Sequence, residues 1–282
     1  MESIFDTHLH LVDRSRISYP WIRDAGTLDR DWSHAEYAAE ASACGITRAL
    51  HMEVDAAEDM IGAEVDFIES LPPRKDVPIV GIISACRPEH DGFAAEIERA
   101  QARPSVVGFR RVLHVVPDAL SQTARFRQNI RRLGPAGLPF DICMLARQLP
   151  LAMELVDAAP ETRFVLDHCG VPDIAGGQFD SWARDISALA KRPNLSAKVS
   201  GIPSYAAKDW TAEDMRRWIE HVVAAFGFDR VVWGSDWFVC TQGGGLTKWV
   251  ETCRTVLAGV SPAERVALFS GNAEKIWRVG GG

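Results

Sequence analysis

The segment FDTHLHLVD, residues 5–13, sets Asp6, His8 and His10 at alternate positions of a short apolar run. Alternate residues of a strand point to one side, so His8 and His10 look into one space with Asp6 one step deeper. Two imidazoles converging there suit a divalent metal, or a polarised water and a carbonyl. A lone buried histidine is an ordinary core residue; a pair at this spacing reads as functional. Two more stretches add to the set. FVLDHCG (164–170) carries Asp167 and His168 at the end of an apolar run, and VVWGSDW (231–237) carries Asp236 after a Gly-Ser pair that lets the backbone approach closely. Taken singly, Asp236 could be a helix N-cap and His168 a packed ring. Together His8, His10, His168 and Asp236 are hard to assign to packing.

These residues need elements to position them. Short apolar, β-branched runs recur at residues 4–12, 46–54, 77–85, 106–114, 138–144, 163–170, 194–201 and 230–237. Between most of them lie stretches of helical periodicity with capping signals, at 33–45, 91–102, 124–137, 150–160, 181–193 and 211–227. Near-continuous apolar strands alternating with amphipathic helices predict a parallel sheet covered on its outer face, and eight such units predict closure into a (β/α)8 TIM barrel. The whole chain, 1–282, reads as one α/β barrel domain. An open doubly wound sheet would carry a glycine-rich phosphate loop after the first strand, where this chain has His-x-His instead. The glycines 243–245 read as a mobile loop and Gly280, Gly281 and Gly282 as a frayed tail.

With 282 residues, 47% of them hydrophobic, the chain has material for a sizeable core. A formal charge of −7 and no basic block argue against a nucleic-acid partner. No apolar run approaches the roughly 20 residues needed to span a bilayer, so no membrane role is expected. The six cysteines (Cys44, Cys86, Cys143, Cys169, Cys240 and Cys253) show no C-x-x-C spacing, and the opening Met-Glu-Ser-Ile has no signal-peptide character. They read as reduced thiols of a cytoplasmic protein.

The chain resembles the amidohydrolase superfamily, whose barrels open with His-x-His and end with a strand-eight Asp. More closely it is similar to the sugar-lactonase branch typified by L-fuconolactone hydrolases, which is related to the pyrone-dicarboxylate lactonases. The likeness runs from residue 4 to about 278 through YPWI (19–22), GFRRVLH (108–114), GLPFDICMLARQLP (137–150), FVLDHCGVPDI (164–174), NLSAKVSGI (194–202), VVWGSDWFVC (231–240) and SGNAEKIW (270–277). Two departures stand out: Arg111 replaces the histidine that relatives usually carry after the Arg, and Phe238 replaces a proline. Superfamily members with two metals also use a strand-four Lys or Glu and a strand-five His, which this chain lacks. The resemblance therefore implies one zinc or none, held if present by His8, His10, His168 and Asp236, with no cofactor strictly required for turnover.

The resemblance implies a hydrolase that opens a sugar (aldono) lactone, a small-molecule substrate. Asp236 is then the general base, and His8, His10 and His168 either ligate the zinc or bond the carbonyl oxygen. Arg110 and His114 share a parity on the fourth strand, which makes Arg110 a candidate for gripping lactone oxygens, with Arg111 the weaker one. Lys198 and Ser200 share a parity on the seventh, and a buried Lys needs a partner. Tyr19 and Trp21 are candidates for stacking on a sugar ring, and Asp141 and Gln148 for bonding its hydroxyls. His51 reads as core. The alternatives are a zinc-dependent decarboxylase of the same superfamily and a barrel without catalysis. The sequence leaves open the particular lactone and the oligomeric state.

Overall fold

A computed structural model describes residues 3–279. Eight strands run in chain order around one parallel sheet: β1 (Ile4–Leu9), β2 (Ile46–Met52), β3 (Ile79–Ala85), β4 (Val106–Val112), β5 (Phe140–Cys143), β6 (Phe164–Leu166), β7 (Leu195–Val199) and β8 (Val231–Trp233). Each falls inside an apolar run read from the sequence, and all are shorter than that run. The sheet closes beyond the end of β8. His10 N–H donates to Trp237 O at 2.7 Å and Asp236 N–H to His8 O at 3.0 Å, so the segment after β8 pairs with the tip of β1.

The helices are α1 (His34–Ala43), α2 (Ile61–Glu69), α3 (Phe93–Gln101), α4 (Ala124–Arg131), α5 (Leu133–Ala136), α6 (Leu149–Ala158), α7 (Phe179–Leu189), α8 (Ala212–Phe226), α9 (Leu246–Val256), α10 (Pro262–Val266) and α11 (Asn272–Trp277). Ser33 starts α1 with a reciprocal capping box: its Oγ accepts from Glu36 N–H at 3.2 Å, and the Glu36 carboxylate accepts from Ser33 N–H at 3.0 Å. The glycines 243–245 are not a free loop, since Gly245 caps α9 and its N–H donates to Cys240 O at 3.0 Å. Gly280, Gly281 and Gly282 lie outside the described residues. No described helix is long and apolar enough to cross a membrane.

The core has two layers. A large cluster fills the space between strands and helices; a smaller one lies inside the barrel, where Phe5, Leu50, Met52, Ile83, Val165 and Val232 meet Ala273 and Trp277 of α11. The last helix thus plugs the lower end of the barrel, leaving the opposite, C-terminal ends of the strands for chemistry.

The alternation expected for β1 breaks. Its pairing with β2 slips between Asp6 and Leu9, so Phe5 and His8 both point inward while Asp6 points out to the helix layer. There the Asp6 carboxylate accepts from Tyr37 Oη (2.6 Å), Ser235 N–H (2.8 Å) and His8 N–H (3.0 Å). Asp6 therefore joins β1, α1 and the segment after β8, instead of sitting beneath the histidines as strict alternation predicts.

Candidate active site

A cavity of about 330 Å3 opens at the C-terminal ends of the strands, lined on its floor by His10, Arg110, His168 and Asp236. The backbone is shaped to present them. His168 and Asp236 both have left-handed backbones, at φ 53° and φ 57°, as does Asp55 on the cavity wall at φ 49°. Each such residue costs roughly 1–2 kcal/mol relative to ordinary backbone, a strain that structures concentrate at functional sites. Two glycines make room. A Cβ on Gly201 would lie 2.2 Å from His168 Nδ1, and one on Gly234 would lie 2.7 Å from His8 Cβ. The Gly-Ser before Asp236 thus allows the close approach expected of it.

Asp236 Oδ1 stands 3.4 Å from His10 Nε2 and 3.7 Å from His8 Nε2. Zinc bonds of about 2.0–2.1 Å in a tetrahedron would set ligand atoms roughly 3.4 Å apart. Two imidazoles and one carboxylate at this spacing fit a single divalent ion. His10 Nδ1 lies 3.0 Å from Met52 O, a bond that places its proton on Nδ1 and frees Nε2 to ligate. Of the four residues expected to share an ion, His8, His10 and Asp236 form one such group, while His168 falls in a second with His8 and Asp167. His168 is held by Ser200, whose Oγ lies 2.9 Å from its Nδ1.

Below this floor lies a buried ladder of charge. The Lys198 ammonium donates to Asp141 Oδ2 at 2.6 Å, stands 2.9 Å from Asp167 Oδ1 and lies 3.1 Å from His8 Nδ1. The Arg110 guanidinium donates from Nε to Glu53 Oε1 at 2.6 Å and from NH2 to Glu53 O at 2.7 Å; NH1 lies 3.2 Å from His8 Nε2 and 3.6 Å from Asp167 Oδ2. A neutral imidazole accepts at one ring nitrogen only. His8 therefore takes its hydrogen bond either from Lys198 or from Arg110.

Burial and the charge of Lys198 hold His8 well below the ordinary histidine range, and burial with the charge of Arg110 lowers His10 to about 3. Burial also lowers His168. All three rings are thus favoured in the neutral form that ligation or hydrogen-bond acceptance requires. Burial raises the Asp236 carboxyl, against the lowering effect of His168 and Arg110, which makes it a stronger base than an exposed aspartate.

The structure gathers His8, His10, His168, Asp236 and Arg110, and places His114 and Trp21 on the cavity wall. Trp21 lies near-parallel to Phe238 with ring centroids 6.3 Å apart, and Trp32 stacks on Phe238 at 4.8 Å. Other expected binders lie elsewhere. Lys198 and Asp141 are fully buried beneath the floor and bonded to each other. Arg111 faces away from the cavity and donates to Glu89 Oε1 at 2.8 Å. Tyr19 lines a separate cleft with Arg14 and Asp31. Gln148 donates to Leu113 O and Asp118 Oδ1. His51 is buried, as expected of core.

Sequence reasoning missed Glu53, Asp55, Tyr205 and Gln242, and gave no role to Asp167. Glu53 carried a usable signal, since a carboxylate ending an apolar strand needs a buried cation such as Arg110. The other wall residues sit on loops, whose course no periodicity reveals.

An eight-stranded parallel barrel whose catalytic-end cavity holds two imidazoles and a carboxylate at metal-ligand spacing has the build of a barrel hydrolase. The family model described as amidohydrolase matches residues 5–279, and the chain belongs to that family. A curated L-fucono-1,5-lactonase of Burkholderia multivorans is 27% identical, covering 96% of this chain and 95% of its own length. A 4-sulfomuconolactone hydrolase of Rhizobium radiobacter is 24% identical over 83% of this chain and 75% of its own. The crystal structure of an amidohydrolase from Burkholderia multivorans with bound zinc shares the fold with a TM-score of 0.86, at 23% identity over 98% of this chain and 99% of that one.

Proposed function

We propose that the chain hydrolyses a sugar (aldono) lactone by attack of water on the lactone carbonyl. The observation that carries this reading is Asp236, a buried carboxylate of raised basicity facing the imidazoles of His8 and His10 on the cavity floor. The lactonase named among its relatives, matching nearly end to end, supports the substrate class.

Both imidazoles face Asp236 Oδ1, which leaves its other oxygen for water. Asp236 takes a proton from that water as its oxygen bonds the carbonyl carbon and the carbonyl electron pair moves to oxygen. When the tetrahedral centre collapses, the C–O bond of the ring breaks and the leaving ring oxygen takes the proton back from Asp236. The product is the open hydroxy acid, which releases one proton on ionising. His168, fixed by Ser200, and the NH1 edge of Arg110 are the groups proposed to bond the carbonyl oxygen as charge develops there. Trp21 and His114 on the wall are proposed to position the ring.

A divalent ion held by His8, His10 and Asp236 would supply Lewis-acid polarisation of the carbonyl. His8 Nε2, which would hold such an ion, already has the Arg110 guanidinium at 3.2 Å, and a cyclic ester needs less Lewis-acid help than an amide. We therefore place turnover after exhaustive chelation within tenfold of the untreated enzyme.

A pH-indicator screen over aldono-1,4-lactones, aldono-1,5-lactones and aryl lactones, with and without chelator, tests the reading. Acid release from an aldono-lactone that persists in chelator supports it. Inertness to every lactone, together with metal-dependent release of CO2 from aromatic acids, would replace it with a decarboxylase.

A further inference from the structure

The charge of the cavity says more about its substrate than the floor does. Among the described residues lining it, Arg110 is the one Arg or Lys. Its Nε and NH2 are bonded to Glu53, and its NH1, beside His8 and Asp167 on the floor, is the edge proposed for the reacting carbonyl oxygen, so a second anionic group held against the wall meets neither Arg nor Lys. Among the described lining residues no further Arg or Lys stands ready to pair with a carboxylate or sulfonate carried by a lactone.

Asp55 adds a carboxyl group of its own, pushed up from the ordinary aspartate range by burial and the charge of Glu53 and drawn back by Arg87, Arg110 and Arg111. It follows β2, lines the cavity, and its carboxylate makes no hydrogen bond to another described residue. Its backbone is left-handed at φ 49°, and its N–H donates at 2.6 Å to Glu53 Oε2, the carboxylate that also holds Arg110. That bond anchors the turn which points Asp55 into the cavity. Gln242 lines the same space, and so do Trp21, Val115 and Tyr205, three of the exposed large hydrophobic residues of the chain. Aromatic and aliphatic surface of this kind suits the C–H faces of a sugar ring, while a carboxylate and an amide suit its hydroxyls.

We propose that Asp55 sets the charge of the substrate: it accepts hydrogen bonds from the hydroxyls of an uncharged polyhydroxy lactone and repels a lactone that carries a carboxylate or sulfonate. This deepens the lactonase reading and rests on it. The repulsion acts inside a part-buried cavity, where screening is weaker than in bulk water.

The test uses a matched pair, an aldono-1,4-lactone and the aldaro-1,4-lactone that differs from it by a carboxylate at C6. Asp55→Asn keeps the shape and tolerates the left-handed backbone; Asp55→Gly tolerates that backbone without a side chain. The parent enzyme should prefer the uncharged lactone in kcat/KM by at least tenfold. Both variants should lose most of that preference, with KM for the uncharged lactone rising at least fivefold and kcat falling less than KM rises. Binding of the corresponding uncharged and carboxylated lactams, followed by tryptophan fluorescence, gives the same comparison without hydrolysis. Equal preference in parent and variants, or tighter parent binding of the carboxylated lactam, overturns the role of Asp55. A parent that binds the uncharged lactam selectively through Asp55 yet hydrolyses neither lactone upholds that role and refutes the lactonase reading.

Discussion

Replacing Lys198 with Met separates the buried charge ladder from the cavity above it. The ammonium is fully buried, donates to Asp141 at 2.6 Å and stands 2.9 Å from Asp167. Without it Asp141, whose Oδ1 already lacks a hydrogen-bond partner, faces no cation at bonding distance, and Asp167 keeps His8 Nδ1 at 3.5 Å and Arg110 at 3.6 Å. Breaking a buried pair by removing one partner costs about 3–5 kcal/mol. Urea unfolding followed through the nine tryptophans should register that loss at pH 8. Burial, opposed by Lys198, already pushes the Asp141 carboxyl up to about 7, and losing the lysine pushes it higher. A carboxyl whose folded value exceeds its unfolded one binds a proton on folding as pH falls. The variant should therefore be less destabilised at pH 6 than at pH 8. Adding Asp141→Leu removes both partners of the closer pair and should restore roughly 2 kcal/mol or more of the loss, since apolar replacement of a whole pair is nearly neutral. A Lys198→Met protein within about 1 kcal/mol of the parent at pH 8, or a double variant weaker than the single, refutes this account of the ladder.

Gly201→Ala should lower kcat by more than tenfold and weaken the fold, because its Cβ would lie 2.2 Å from His168 Nδ1 on a backbone at φ +66°; steady-state kinetics with thermal melts would show otherwise if both stay at parental values. Ser200→Ala frees the His168 ring and should cost about tenfold in kcat with unchanged stability to within about 1 kcal/mol, as loss of an orienting partner does. The six cysteines are free and buried, so a thiol reagent should label none in the native protein and all six in denaturant; rapid native labelling would contradict the packing.

All eight strands were legible because their near-continuous apolar runs need both faces covered, and no neighbouring segment competes with that pattern. The His8, His10, His168 and Asp236 group was legible for a related reason: strand ends in a barrel point to one place whatever the loops do. Depth was not legible. Lys198 does face inward as its parity says, but parity gives a side and not a layer, and it lies with Asp141 beneath the floor rather than on the wall. Asp6 fails through the slip in β1, which inserts a step that strict alternation cannot carry. Helices α2, α9, α10 and α11 went unnamed; α2 carries Gly62 and buries Glu64 on its inner side, and α9 follows three glycines. Asp55, Tyr205 and Gln242 come from loops, where position depends on turns set by partners elsewhere in the chain.

The central claim is that Asp236 is the base of a lactone-opening site. The measurement is kcat of Asp236→Asn on the best uncharged lactone, by pH-indicator assay, with circular dichroism and melting temperature confirming the fold. The account predicts a fall on the order of 10²–10⁴ in kcat with the fold retained, the range for losing general-base catalysis. Near-parental kcat in a correctly folded Asp236→Asn protein would contradict it.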